Sequence, residues 1–180
     1  MLKHGILGLL NYGPTTGYEI MLVFRDSLDF FWSAQTSQIY RELQALESKG
    51  WATKTIVVQE GKPDKNVYAI TEQGRQELVE WLLRKSDPPR VRNDLLMRAF
   101  FLGELADDEA EAFFLRCIEE RRSFLESLDG AKEAIEVYEA LLDDPAKARY
   151  WAMTLDYGYR MARAEIEWAE DCIEGLGGHR

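Results

Sequence analysis

The sequence predicts a mainly α-helical chain with one small β-hairpin, arranged as an N-terminal domain followed by an antiparallel pair of long helices. Three observations carry this. Residues Trp32–Thr71 read as a helix running directly into a hairpin. Ile39, Leu43 and Leu46 recur there at i, i+4 and i+7 and give one apolar face, while Gln38, Arg41, Gln44 and Ser48 make a polar one. Two β-rich segments, Thr53–Val58 and Val67–Ile70, flank the turn Gly61-Lys62-Pro63-Asp64-Lys65-Asn66, which carries two lysines. Finally, Ala110, Phe114, Cys117, Arg121, Phe124, Leu128, Ala131, Ile135, Tyr138 and Leu142 follow alternating steps of four and three, and nine of these ten are apolar or cysteine. That is the seam of a long coiled-coil-like helix.

The elements follow in order. A first helix spans Leu2–Leu10, with Leu2, Ile6, Leu9 and Leu10 buried, and Asn11-Tyr12-Gly13-Pro14 breaks it. Thr16-Gly17-Tyr18-Glu19 has the capping-box pattern, so a second helix starts there, carries Tyr18, Ile20, Met21 and Phe24, and ends near Ser27. The aromatic link Leu28–Trp32 packs on the core. Ser33 is the N-cap expected for the third helix, and Gly50 closes it. Thr71 caps a fourth helix over about Glu72–Lys85, with Leu78, Trp81 and Leu82 inward. Asp87-Pro88-Pro89 ends it and divides the chain into domains 1–86 and 87–180. A helix over Arg90–Glu104 is followed by the seam helix, capped by Asp107 or Asp108 and running to about Leu142. Asp144-Pro145 then starts a last helix striped by Ala148, Trp151, Leu155, Tyr159, Ala162, Ile166, Ala169, Ile173 and Leu176. A helix pair this long bears more apolar stripe than it can cover alone, so a second subunit is expected.

Composition narrows the function. The chain has 180 residues, 46% of them hydrophobic and 30% charged, enough for a packed core. No stretch approaches the length of a membrane span and no cleavable leader is visible, so the expected location is the cytoplasm with no membrane partner. The N-terminal 86 residues hold 10 Lys+Arg and 10 Asp+Glu, so the whole net charge of −10 falls in the second half. A neutral N-terminal half is less basic than a strong nucleic-acid binder, and few phosphate contacts per subunit are expected. Cys117 and Cys172 fall in apolar helical positions and read as buried thiols. His4 and His179 lie near the two ends and form no metal-ligand pattern with them. No phosphate-binding loop, dinucleotide fingerprint or nucleophile elbow is present. Neither an enzyme nor a cofactor or metal protein is expected.

A helix able to enter a DNA groove beside a basic hairpin tip is the pattern of a winged helix-turn-helix. The chain resembles the PadR family of bacterial transcriptional regulators in Ile6–Leu10 (ILGLL), Gly13–Ile20 (GPTTGYEI), Phe30–Trp32 (FFW), Gln38–Trp51 (QIYRELQALESKGW) and Val67–Gly74 (VYAITEQG). Its second half is similar to the helical region of the subgroup containing virulence-gene activators, in the wing GKPDKNVYAIT, in Pro88–Asp94 and in the late EIEWAEDCI. The resemblance implies a homodimer, intertwined through its C-terminal helices, on a partly palindromic operator. It implies repression or activation without saying which. Some members of the wider family sense phenolic acids.

The residues expected at DNA follow. Gln38 and Arg41 lie on the polar face of the third helix, where Gln can pair bidentately with adenine and Arg with guanine. Gln35, Thr36 and Ser37 occupy its first turn, where phosphate and base contacts are common. Tyr40 has a hydroxyl within reach of DNA on a half-buried ring. Lys62 and Lys65 mark the wing, and Thr15 and Thr16 stand where a helix N-terminus could hold a phosphate. Each has a plainer alternative: a solvated helix face, a structural tyrosine, a charged turn, a cap. Two other functions stay open. One is a winged-helix protein-interaction module, to be separated by the salt dependence of binding. The other is a small-molecule sensor using Trp151, Trp168, Tyr150, Tyr157 and Tyr159 of the last helix as an aromatic pocket, to be separated by ligand-induced thermal shifts.

Overall fold

The computed structural model describes residues 1–85, 92–142 and 144–177. The Asp87-Pro88-Pro89 break, the expected helix start at Arg90, Asp143 and His179 lie outside them. Elements run α1 (Leu2–Leu10), β1 (Thr15–Thr16), α2 (Gly17–Val23), a π-helical turn (Phe24–Leu28), α3 (Thr36–Ser48), β2 (Ala52–Val57), β3 (Lys65–Ile70), α4 (Glu72–Leu83), α5 (Asp94–Ala99), a 3₁₀ turn (Leu102–Glu104), α6 (Asp107–Glu139), a second 3₁₀ turn (Pro145–Lys147) and α7 (Arg149–Gly177). The chain divides into two compact units, Met1–Ser86 with Ala134–Ala146, and Asp87–Glu133 with Lys147–Arg180.

In the first unit α1, α2 and α3 surround a core of Ile6, Leu7, Leu10, Ile20, Phe24, Ile39, Leu43, Leu46, Ala52, Tyr68 and Leu78. Each helix contributes its apolar stripe, so burial follows the 3.6-residue period. The first helix is placed as expected, but its inward face is centred on Leu7 and His4, with Leu2 and Leu9 only half-buried. The sheet has three strands in the order β1-β3-β2, all antiparallel. The sequence predicts only the hairpin of β2 and β3. Two β-branched residues ahead of the second helix pair Thr15 with Tyr68 and Thr16 with Val67. Tyr18 points to solvent, at 60% exposure, because the helix it belongs to buries Ile20 and Phe24 instead. Leu82 is likewise exposed, since α4 turns Leu78 and Trp81 toward the core.

The second unit is helical. The expected helix over 90–104 is short, α5 capped by the Asn93 side chain, which accepts the Leu96 N–H at 3.1 Å. Asp107 is the first residue of α6, not its cap, and Glu109 accepts the Ala106 N–H instead. At 33 residues α6 is about 50 Å long. Pro145 opens a 3₁₀ turn, and α7 starts only at Arg149. Phe114 meets Trp168 edge-on, Arg121 pairs with Glu165, and Tyr159 donates to Asp129. Partner numbers fall on α7 as they rise on α6, so the two helices are antiparallel. Every described seam position, from Ala110 to Ala131 in this unit and from Ile135 to Leu142 in the first, is buried or half-buried, Arg121 included. Cys117 and Cys172 sit in this core as free thiols, and burial pushes both thiols above their ordinary range.

Candidate nucleic-acid interface

The polar face of α3 is built by the two ends of the helix. Its N-cap is Gln35 in extended backbone, not Ser33, and the Gln38 side-chain Oε1 accepts the Gln35 N–H at 3.1 Å. This is the reaching-back arm of a capping box, with glutamine at the third helical position. At the other end Gly50 takes φ +70°, its N–H donating to Glu47 and that of Trp51 to Leu46. Those two bonds are a Schellman close, and the left-handed φ is why glycine follows Lys49. Ile39, Leu43 and Leu46 are at most 1% exposed, which fixes the rotation of the helix. Thr36, Ser37, Arg41, Gln44 and Ser48 then face solvent, and Gln38 is half-buried at the edge of that strip.

Tyr40 is 41% exposed. Its ring lies against the first turn of α2, where a β-carbon on Gly17 would come within 2.6 Å of Cε1. The missing side chain at Gly17 therefore sets how closely α2 backs α3.

Thr15 and Thr16 do something other than wait for a phosphate. Both hydroxyls donate to Glu19 Oε2 at 2.9 Å, the Thr16 N–H donates to the same oxygen at 2.8 Å, and the Glu19 N–H returns to Thr16 Oγ1. The capping box expected from the sequence is thus complete, and its carboxylate occupies the N-terminus of α2. The Thr16 backbone bond, assisted by the two hydroxyls and by nearby Lys65, holds the Glu19 carboxyl below its usual range. A phosphate at this point would meet a fixed negative charge. Of the two roles that the sequence leaves open for these threonines, the cap is the one whose hydrogen bonds are formed.

The hairpin places its two lysines differently. Lys62 sits in the connecting turn, fully in solvent, where the Gln59 N–H reaches Asp64. Lys65 is not in the turn but is the first residue of β3, opposite Val57, close enough to Glu19 to act on its charge. Among the described residues Lys62 has no ion pair, whereas Lys65 stands near the Glu19 carboxylate.

The aromatic residues of α7 do not gather into one pocket. Trp168 is core against Phe114, Trp151 and Tyr159 are half-buried, and Tyr150 and Tyr157 are exposed. A groove of about 470 Å³ is lined instead by Leu115, Ile118, Glu119, Arg122, Ser123 and Glu126 of α6. Among the described residues no group of three His, Cys, Asp or Glu side chains could hold a metal ion, and no helix is long and apolar enough to cross a membrane.

A polar helix face, a second helix packed behind it and a lysine-bearing hairpin beside it define a winged helix-turn-helix of the DNA-binding kind. Residues 6–80 match the Transcriptional regulator PadR-like family, and residues 91–177 match the family described as Virulence activator alpha C-term. The chain belongs to the PadR-like family of transcriptional regulators. It is 38% identical to the negative transcriptional regulator PadR of Bacillus subtilis over 136 residues, 75% of each chain. It is 32% identical to a probable transcriptional regulator of Mycobacterium tuberculosis, over 97% of each. Among solved structures, Bacillus subtilis PadR in complex with operator DNA superposes with TM-score 0.84 at 32% identity, covering 97% of this chain and 98% of that one. The Vibrio cholerae virulence activator AphA superposes with TM-score 0.75 at 28% identity over the whole of both chains.

Proposed function

We propose that this protein is a cytoplasmic, non-enzymatic regulator that binds its operator as a homodimer. In this reading residues 1–86 form the DNA-binding domain and residues 87–180 the dimerisation domain. Each α3 lies in the major groove, with Arg41 and Gln38 at base edges and Gln35, Thr36, Ser37 and Tyr40 along the backbone. Lys62 follows the phosphates from the wing, and Lys65 joins it once DNA competes with Glu19. The carrying observation is the solvent-facing strip Ser37-Arg41-Gln44 on a helix whose opposite face is wholly buried. The similarity to Bacillus subtilis PadR, solved in complex with operator DNA, supports DNA as the partner. Dimerisation is supported by apolar side chains left in solvent in the second unit, including Phe100 at 82%, Phe101 at 59% and Tyr157 at 66% exposure. Two-fold symmetry then calls for half-sites one helical turn, or a multiple of it, apart.

The test is selection of bound duplexes from random DNA, followed by polarisation binding at several salt concentrations. Affinity should fall steeply as salt rises, in proportion to the phosphates neutralised. Lys62→Ala with Lys65→Ala should weaken all sequences alike and flatten the salt slope by about one for each lost phosphate contact, whereas Arg41→Ala should cost about 1–3 kcal/mol and relax one position of each half-site. Salt-insensitive binding, or an enriched site indifferent to Arg41, would place the function on another surface. Bacillus subtilis PadR has also been solved with p-coumaric acid, so a phenolic acid is the first effector class to add to this assay.

A further inference from the structure

Gln38 carries an amide that can pair bidentately with adenine, and its capping bond bears on which end is free to do so. We infer that Gln38 reads DNA as a hydrogen-bond donor only, so that the base it selects is guanine rather than a bidentate adenine. This rests on the operator-binding reading above and specifies one contact within it.

A backbone N–H can meet only the carbonyl end of an amide, so the bond from Gln35 N–H fixes which end of Gln38 is which. Oε1 is turned back to the start of α3, and Nε2, attached to the same planar carbon, is the end that the cap leaves unused. Bidentate pairing with adenine needs Oε1 on the 6-amino group and Nε2 on N7 together. With Oε1 engaged at the cap, Nε2 is the end free to pair. Releasing Oε1 would strip the Gln35 N–H of its partner at a helix terminus where such groups have no intrahelical acceptor. Guanine suits the capped form: N7 and O6 are both acceptors, and Nε2 carries two hydrogens. Arg41, one turn further along the helix, also has donors and no acceptor. The reading strip is therefore donor-rich at two successive turns.

Gln38→Glu isolates the claim. Glutamate keeps an oxygen for the Gln35 N–H, and its second oxygen stands where the amide nitrogen was, so folding and capping persist while the outward group turns from donor to acceptor. Random-duplex selection with the full-length wild type and this variant should show one position per half-site changing. Guanine is expected for the wild type, and cytosine or adenine for the variant. On the wild-type site Gln38→Glu should bind roughly tenfold or more weakly, and the matching base change should restore most of the loss. Adenine at that position in the wild type, with purine, which lacks the 6-amino group, binding worse, overturns the inference; so does adenine bound as well as purine, since the selected base is then not guanine. Cytosine in the wild type, or a selected site that Gln38→Glu leaves unchanged, overturns the inference alone. Failure of the wild type to enrich any sequence overturns the operator reading and this contact with it.

Discussion

Gly74→Ala is expected to destabilise the N-terminal unit by about 3 kcal/mol, although alanine is the better helix former by about 1 kcal/mol. Gly74 is the third residue of α4, and its N–H donates to the capping Thr71 Oγ1 at 3.1 Å. A β-carbon there would lie far inside van der Waals contact with the Trp51 carbonyl oxygen and 2.9 Å from Ile70 Cγ1. The first of these neighbours is backbone and cannot swing aside. It is also tied: Trp51 O accepts the Thr71 N–H at 3.0 Å, and the Thr71 hydroxyl donates to Gly50 O at 2.6 Å. One residue further on, Ala52 opens β2 opposite Ile70. A methyl at 74 therefore pushes on the end of α3, the start of the wing and the start of α4 at once. Gly8 is the control, since it is also helical and nothing lies within 4 Å of its β-carbon position. Gly8→Ala should be neutral or gain up to about 1 kcal/mol. Urea midpoints from far-ultraviolet circular dichroism compare the two. A Gly74→Ala midpoint at or above the wild type would mean that α4 does not rest on Trp51.

Why the sequence foretold so much of this unit, and where it stopped, follows from the range of the forces involved. Helix periodicity, caps and the wing are local: Ile39, Leu43 and Leu46, the Thr16–Glu19 box and Gly50 each act within about one turn, so they could be read directly. What escaped depends on contacts far apart in the chain. Thr15–Thr16 became a strand only because Tyr68 and Val67 lie alongside. The helical period places Leu82 inward, but α4 has one apolar residue more than the space against the core holds, and Leu82 is exposed. The polar face of α3 was legible as a list of residues. The direction of its amide was not, because Gln35, with no short polar side chain to mark it as a cap, was passed over for Ser33. In the second unit the repeat of four and three steps gave the seam of α6 correctly, but the helix ends, which depend on single caps such as Asn93, fell elsewhere.

His4→Ala is expected to cost about 3 kcal/mol, and acidification alone should remove part of the same stabilisation from the wild type. His4 is only 5% exposed. Its ring stacks on Trp81 with centroids 4.6 Å apart and planes 5° apart, and Nε2 lies 2.8 Å from Glu77 Oε1. The facing charges are Glu77 and Lys3, which pair at 3.6 Å, and the chain amino group; Nδ1 is buried with no hydrogen-bond partner among the described residues. Burial lowers the imidazole below its ordinary value of 6.5 and outweighs the pull of Glu77 in the other direction. The neutral ring, with Nε2–H donating to the Glu77 carboxylate, is the form that fits. Because the folded value lies below the unfolded one, the contribution is complete above 6.5 and is lost as pH falls through the folded value. The Glu77 carboxyl, lowered chiefly by the bond from His4, adds a loss of the same sign, but only in the more acidic carboxylate range. Only His179 shares the imidazole window, since the chain has two histidines. Urea midpoints at about pH 7.5 and about pH 5.5 should therefore fall for the wild type and for His179→Gln alike. His4→Phe, which keeps a ring over Trp81 and removes the titration, should lose much less. Equal pH dependence in His4→Phe and the wild type would mean that the contact between α1 and α4 does not depend on the charge of this ring.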